Sequence, residues 1–309
     1  MTTKGWEDIA AAKRAELLKS IPEKWIIPQS IKPPDDQLDV TSFPEKSGWF
    51  TSKELEITSK AASELLDKLK SGEWTSEEVT SAFCKRAAAA HQLVRNSPLN
   101  MYPLFLLICA KTNCLSETLF DEALKHAREL DELFRKTGKP KGPLHGLPIS
   151  IKDNFFIDGK DSTIGFVSLA NKPAEKNSPL IDILTQAGAV LYVKTNVPTA
   201  MMIAETVNNL FGRTVNPLNR NLTSGGSSGG ESALIAFGGS SLGVGTDIGK
   251  SSIYSLYKVV LTSNQVVHYG FHLHAPVYSH YAHHLDDFLQ YGHVVVLVAK
   301  KQFNLSVDQ

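Results

Sequence analysis

Ser224-Gly225-Gly226-Ser227-Ser228-Gly229-Gly230-Glu231, followed by Gly245-Thr246-Asp247-Ile248-Gly249-Lys250-Ser251, is the part of the chain whose residue types and order say most about its chemistry. Two glycine pairs flank a serine pair. The backbone can therefore turn sharply there and bring amide N–H groups close to a ligand, where residues carrying a Cβ would obstruct the approach. Such a loop can build an oxyanion hole, and the stretch reads as a serine hydrolase site without a histidine. Upstream, Gly146-Leu147-Pro148-Ile149-Ser150-Ile151-Lys152-Asp153 puts a lysine at the end of a short apolar run. That pattern predicts a strand emerging from a core, with Lys152 as the candidate base.

Taken singly, Ser227 and Ser228 read as a polar glycine loop and Ser251 as a helix cap before an apolar stretch. Their joint order with Lys152 points elsewhere: 75 positions separate Lys152 from Ser227, and Ser251 follows 24 positions later. This ordered set resembles the amidase signature family, the amide hydrolases with a Ser-Ser-Lys triad, and within it the fungal acetamidase-like branch. Lys194-Thr195-Asn196-Val197-Pro198 and Asn216-Pro217-Leu218-Asn219 also look like the family, so the resemblance runs from about residue 142 to residue 249.

The resemblance implies a mixed sheet flanked by helices. It implies that Lys152 is the base, Ser227 the bridging serine on a cis peptide and Ser251 the nucleophile. It places the oxyanion donors at the backbone of Ile248, Gly249 and Lys250, and matches Met201 to a substrate-pocket position; a methionine pair, Met201-Met202, also fits simple core filling. The implied substrate is a small-molecule amide, aliphatic or aryl, handled without a cofactor or metal, and a homodimer is among the expected assemblies.

Composition narrows the classes of function. With 42% hydrophobic and 21% charged residues, the 309-residue chain is an ordinary folded protein rather than a disordered one. Thirty-two basic residues balance 32 acidic ones, so the net charge offers no footprint for nucleic acid. Cys84, Cys109 and Cys114 form no CxxC pair, and an odd count favours reduced thiols. The start, Met1-Thr2-Thr3-Lys4-Gly5-Trp6, lacks the apolar run of a secretory signal, and no stretch approaches the ~18 apolar residues of a membrane span. A cytoplasmic location is expected.

Along the chain, an amphipathic helix is predicted over 6–20 and a second over 58–70. Thr75-Ser76-Glu77-Glu78 forms a capping box that opens a third, and a helix over 116–136 stops at Gly138 and Pro140. Residues 1–140 thus form an N-terminal helical arm. From Leu147 onward, short apolar strands such as Ala189-Val190-Leu191-Tyr192-Val193 alternate with glycine turns and helical stretches, the signature of an α/β layered core over 141–249.

Two segments break the pattern. Residues 95–112 read as an atypical insertion. After residue 249, seven of the 10 histidines and six of the eight tyrosines appear while glutamate and arginine vanish. We read 250–309 as a segment foreign to the family and both stretches as translated intron or shifted-frame sequence, which would leave the family core incomplete. Lys250 stands where the family carries glycine, and Ser251-Ser252-Ile253 lacks the family's arginine. The chain is therefore expected to be a poor amidase, with an inactive homologue or a non-enzymatic binding remnant as the rival reading. Two other motifs fail: Gly245 leaves one residue too few before Gly249-Lys250 for a phosphate-binding P-loop, and His280, His283 and His284 lack a convincing fourth metal ligand.

Overall fold

The computed structural model describes residues 5–93, 114–247, 266–270 and 294–300. Helix α1 (Trp6–Lys19) opens the chain, followed by α2 (Phe43–Lys46), α3 (Ser52–Ser59), α4 (Ala62–Ser71) and α5 (Ser76–Leu93). Then come strand β1 (Leu115–Thr118), α6 (Phe120–Thr137), β2 (Pro148–Lys152), α7 (Pro179–Gln186) and β3 (Val190–Thr195). Four short strands follow: β4 (Val207–Asn208), β5 (Gly212–Arg213), β6 (Val215–Asn216) and β7 (Asn219–Thr223). Helix α8 (Gly229–Ala236), β8 (Leu242–Asp247), β9 (Val266–Gly270) and β10 (Val294–Lys300) complete the described elements.

The central sheet has the order β1-β3-β2-β8-β10-β9. Strand β2 runs parallel to both β3 and β8, whereas β1 and β10 are antiparallel to their neighbours, so the sheet is mixed as expected. Parallel strands covered on both faces read as continuous burial, and every residue of β2 is buried. Helix α8 packs against β2, β3, β8 and α5, and α5 in turn packs against α6. One apolar core runs from Trp25, Leu65 and Phe83 of the helical stretch to Ile149, Tyr192 and Leu234 of the α/β stretch. The boundary drawn at residue 140 separates two kinds of sequence; in space they share that core.

Local signals account for several helix ends. Thr75 and Glu78 exchange the reciprocal bonds of a capping box at the start of α5, and Gly138 ends α6 in the left-handed conformation. Two boundaries differ from expectation. The helix predicted over 58–70 is two helices, because Lys60 and Ala61 are extended and Ala61 starts a new cap with Glu64. Residues 116–118, predicted as the start of a helix, belong to the edge strand β1: pairing with β3 overrides a local preference that so short a stretch expresses only weakly. Beyond β8 the sheet continues: β10 pairs along β8 from Val294↔Asp247 to Ala299↔Leu242, and β9 forms the edge. Residues 94–113, which include the whole 95–112 segment and Cys109, lie outside the described residues; Cys84 and Cys114 are buried free thiols. Among the described residues no helix is long and apolar enough to cross a membrane.

Candidate active site

Strand β2 delivers Lys152 at its C-terminal end, where the sheet meets the turn before α8. Lys152 has no exposed surface. Its Nζ donates to Ser227 Oγ at 2.8 Å, to Thr246 Oγ1 at 2.8 Å and to the Thr246 carbonyl at 3.3 Å. A buried ammonium or amine must place its N–H groups on protein acceptors, and β8 provides two of them from one residue. Ser227 is only partly buried and follows a cis Gly226-Ser227 peptide. The pair therefore combines a fully buried lysine with a partly buried serine.

The loop that carries Ser227 is held tightly. A Cβ on Gly226 would sit 2.7 Å from the Ile203 carbonyl oxygen and 2.9 Å from Glu205 N, so the backbone of 203–205 lies directly against it. Thr206 donates both its N–H and its hydroxyl to the Gly225 carbonyl, at 3.0 and 2.9 Å. The first N–H groups of α8, which have no partner inside the helix, go to Thr206 Oγ1 from Gly229 at 3.1 Å and to the Asn196 carbonyl from Gly230 at 3.1 Å. Ser228, unlike Ser227, turns inward: it is buried and its Oγ bonds the Thr246 backbone.

Behind Lys152 lies a buried polar layer. Asp153 accepts from Ser116 Oγ at 2.6 Å and from Ile164 N at 2.7 Å, with Lys194 Nζ 3.7 Å away. Glu231, on α8, accepts from Ser150 Oγ and Thr195 Oγ1. Burial pushes its carboxyl up to about 7, against the opposing pull of those two hydrogen bonds and of the Lys152 charge.

Of the residues singled out from the sequence, Lys152 and Ser227 meet. Met201 sits in a one-turn helix over Thr199–Met201 with φ of 57°, half-buried, while Met202 is 70% exposed, so the pair does not fill a core. Met201 is two residues from the backbone that presses on Gly226. Ile248, Gly249, Lys250 and Ser251 lie outside the described residues, as do His280, His283 and His284. Among the described residues no group of acidic, histidine or cysteine side chains is arranged to hold a metal ion. Thr246, Ser150, Thr195 and Glu231 were not singled out. Glu231 had a legible signal, a lone carboxylate in Gly-Gly-Glu-Ser-Ala-Leu-Ile-Ala, a helix of small and apolar residues.

A buried lysine thus meets a partly buried serine on a cis peptide, in a glycine-rich turn between a parallel strand and a buried helix of a mixed α/β fold. The Amidase family model matches residues 107–253, a segment that contains Lys152, Met201, Ser227 and Ser251. The chain is 49% identical over 246 residues to an acetamidase of Emericella nidulans, covering 80% of this chain and 41% of that protein. Among solved structures, a fatty acid amide hydrolase aligns with a TM-score of 0.78 and 32% identity over 96% of this chain and 49% of its own. A bacterial aryl acylamidase of the amidase signature family aligns with a TM-score of 0.51 and 27% identity over 62% of this chain and 36% of its own. Residues 107–253 are thus matched by the Amidase family model, and the chain is similar in sequence to fungal amidases and in fold to amidase signature enzymes. It spans about two fifths of the length of the curated relatives it matches.

Proposed function

We propose that the site hydrolyses carboxamides to carboxylates and ammonia or amine through a serine acyl-enzyme. The observation that carries the reading is the 2.8 Å bond between sealed Lys152 and Ser227 Oγ. An amide needs an activated nucleophile, donors for the developing oxyanion and a proton for the leaving amine. In the proposed sequence neutral Lys152 takes the Ser227 hydroxyl proton as Ser227 takes that of Ser251, whose oxygen bonds to the amide carbonyl carbon. The carbonyl oxygen becomes an oxyanion held by backbone N–H groups of Ile248, Gly249 and Lys250. Collapse expels the amine, which receives a proton back through Ser227 from Lys152. Water, giving a proton to Lys152 along the same path, then bonds to the acyl carbon; the bond from that carbon to the Ser251 oxygen breaks, Ser251 takes the proton back through Ser227, and the acid leaves.

Small aliphatic or aryl amides are the proposed substrates, with Met201 beside the acyl or amine group. The relatives named acetamidase and fatty acid amide hydrolase support an uncharged acyl part. No cofactor is needed, and we propose a soluble cytoplasmic protein. Lys250 in place of the family's glycine would crowd the oxyanion site, and losing one oxyanion donor costs about 10²- to 10³-fold in rate. Slow turnover is accordingly expected, and Lys250→Gly alone restores little, because the arginine after Ser251 is also missing.

Transfer of an acyl group from a simple amide such as acetamide to hydroxylamine tests the reading. Slow hydroxamate formation that Ser251→Ala abolishes supports it. A stably folded chain that forms no hydroxamate would instead identify a binding remnant, and fast turnover would remove the argument from Lys250.

A further inference from the structure

Glu231 is a fully buried carboxyl that the proposed proton path does not use. Burying such a group is costly unless its oxygens are hydrogen-bonded, and here the two oxygens bond different strands. Ser150 Oγ of β2 donates to Oε2 at 2.7 Å, and Thr195 Oγ1 of β3 donates to Oε1 at 2.9 Å. Ser150 Oγ also bonds Ser240 Oγ, just before β8, at 2.8 Å. On β8 itself, a Cβ at Gly243 would fall 2.2 Å from Oε2, so the strand passes the carboxyl with no side chain between them. One side chain is thus wedged among three adjacent strands.

Those contacts fall on the neighbours of the base. Ser150 is two residues before Lys152, on the same face of β2, and Thr195 is the register partner of Lys152 on β3. Ser227 lies four residues before Glu231, at the entry to α8. We infer that Glu231 is a positioning residue: its carboxyl ties the start of α8 to β2 and β3 and thereby holds Lys152 Nζ within hydrogen-bond reach of Ser227 Oγ. Its effect on rate rests on the amide-hydrolase reading; its effect on geometry does not. The titratable groups that couple to the carboxyl through charge are Lys152 on β2, Tyr192 on β3 and Cys114 ahead of β1. With burial pushing the carboxyl up to about 7, a neutral amide of the same shape is close to it in charge as well as in reach.

The full 309-residue chain and its Glu231→Gln, Glu231→Ala, Thr195→Val and Lys152→Ala variants would be reacted with an alkyl fluorophosphonate. The maximal inactivation rate would be separated from the half-saturating concentration, and each variant's crystal structure determined. A misplacement of about 1 Å in a catalytic constellation can cost on the order of 10²-fold. Glu231→Ala should therefore lose about 100-fold in maximal rate with half-saturation unchanged, and Thr195→Val about 10-fold. Glu231→Gln should stay within about 3-fold of the parent. In the crystals the Lys152–Ser227 bond should persist in Glu231→Gln and open in Glu231→Ala; if the alanine variant does not fold, Thr195→Val supplies the comparison. A bond kept at 2.8 Å after either disruptive change overturns the inference. Should the parent react no faster than Lys152→Ala, the amide-hydrolase reading fails, and the crystal distances still decide the positioning role.

Discussion

Lys152 and Glu231 are both fully buried, and each is held by hydroxyls: Lys152 by Ser227 and Thr246, Glu231 by Ser150 and Thr195. Glu231 gives a prediction at this scale. Its pKa is raised from 4.5 to about 7 by burial, so between those values the folded chain binds more protons than the unfolded one. Stability is then fully present below about pH 4.5 and is lost as pH rises through about 7, after which it is level. A shift of that size corresponds to something on the order of 3 kcal/mol. Glu231→Gln, which cannot ionise, should flatten this component, so urea midpoints of parent and variant should diverge between pH 5 and pH 8 in favour of glutamine. Parallel pH profiles would show that the carboxyl does not titrate differently in the folded state.

At the scale of elements, β2 was readable because it is short and entirely buried, and a buried strand leaves an apolar run with Lys152 at its end; Ser150, Thr195 and Thr246 were not, since they are ordinary strand residues whose roles arise only when three strands lie side by side. Strand β1 was not readable, because Leu-Ser-Glu-Thr has no period of its own and becomes a strand through its antiparallel partner β3. The break at Lys60-Ala61 was masked because no glycine or proline marks it, and the new cap is an alanine whose N–H is met by the Glu64 carboxylate. The strand β8 makes a sharper claim. At Gly243 an added Cβ meets Glu231 Oε2 at 2.2 Å and Ser150 Oγ at 2.6 Å, both held by other bonds and unable to swing away. Gly243→Ala should therefore destabilise by about 1 to 3 kcal/mol through overpacking and also slow acylation, because it displaces the Glu231 contact. Thermal unfolding and fluorophosphonate labelling of this one variant would measure both effects, and a neutral result in both would show that the strand has more room than its geometry implies.

Across the whole molecule, the N-terminal helices are tied to the sheet by buried charge as well as by the shared core. Lys13 of α1 is almost fully buried and pairs with Glu117 of β1 at 2.7 Å and Asp161 at 2.9 Å. Asp161 in turn receives Lys194 Nζ on its carbonyl, and Lys194 faces Asp153, the residue after the base. Removing one member of a buried pair leaves the others uncompensated, which costs about 3 to 5 kcal/mol. Lys13→Ala should lower Tm by on the order of 10 °C, while labelling per folded molecule stays near the parent value because α1 does not touch Lys152 or Ser227. The sequence after residue 249 showed no family pattern, yet β9 and β10 extend the sheet from β8; strand pairing asks only for backbone and a compatible face, which composition alone does not reveal. The account as a whole stands on Lys152 and Ser227 activating a serine downstream of β8, and mapping the fluorophosphonate adduct by peptide mass spectrometry tests this most directly. The predicted result is a single adduct on Ser251, formed about 10²- to 10⁴-fold more slowly in Lys152→Ala and Ser227→Ala. An adduct on another residue, or labelling at the parent rate in either variant, would contradict it.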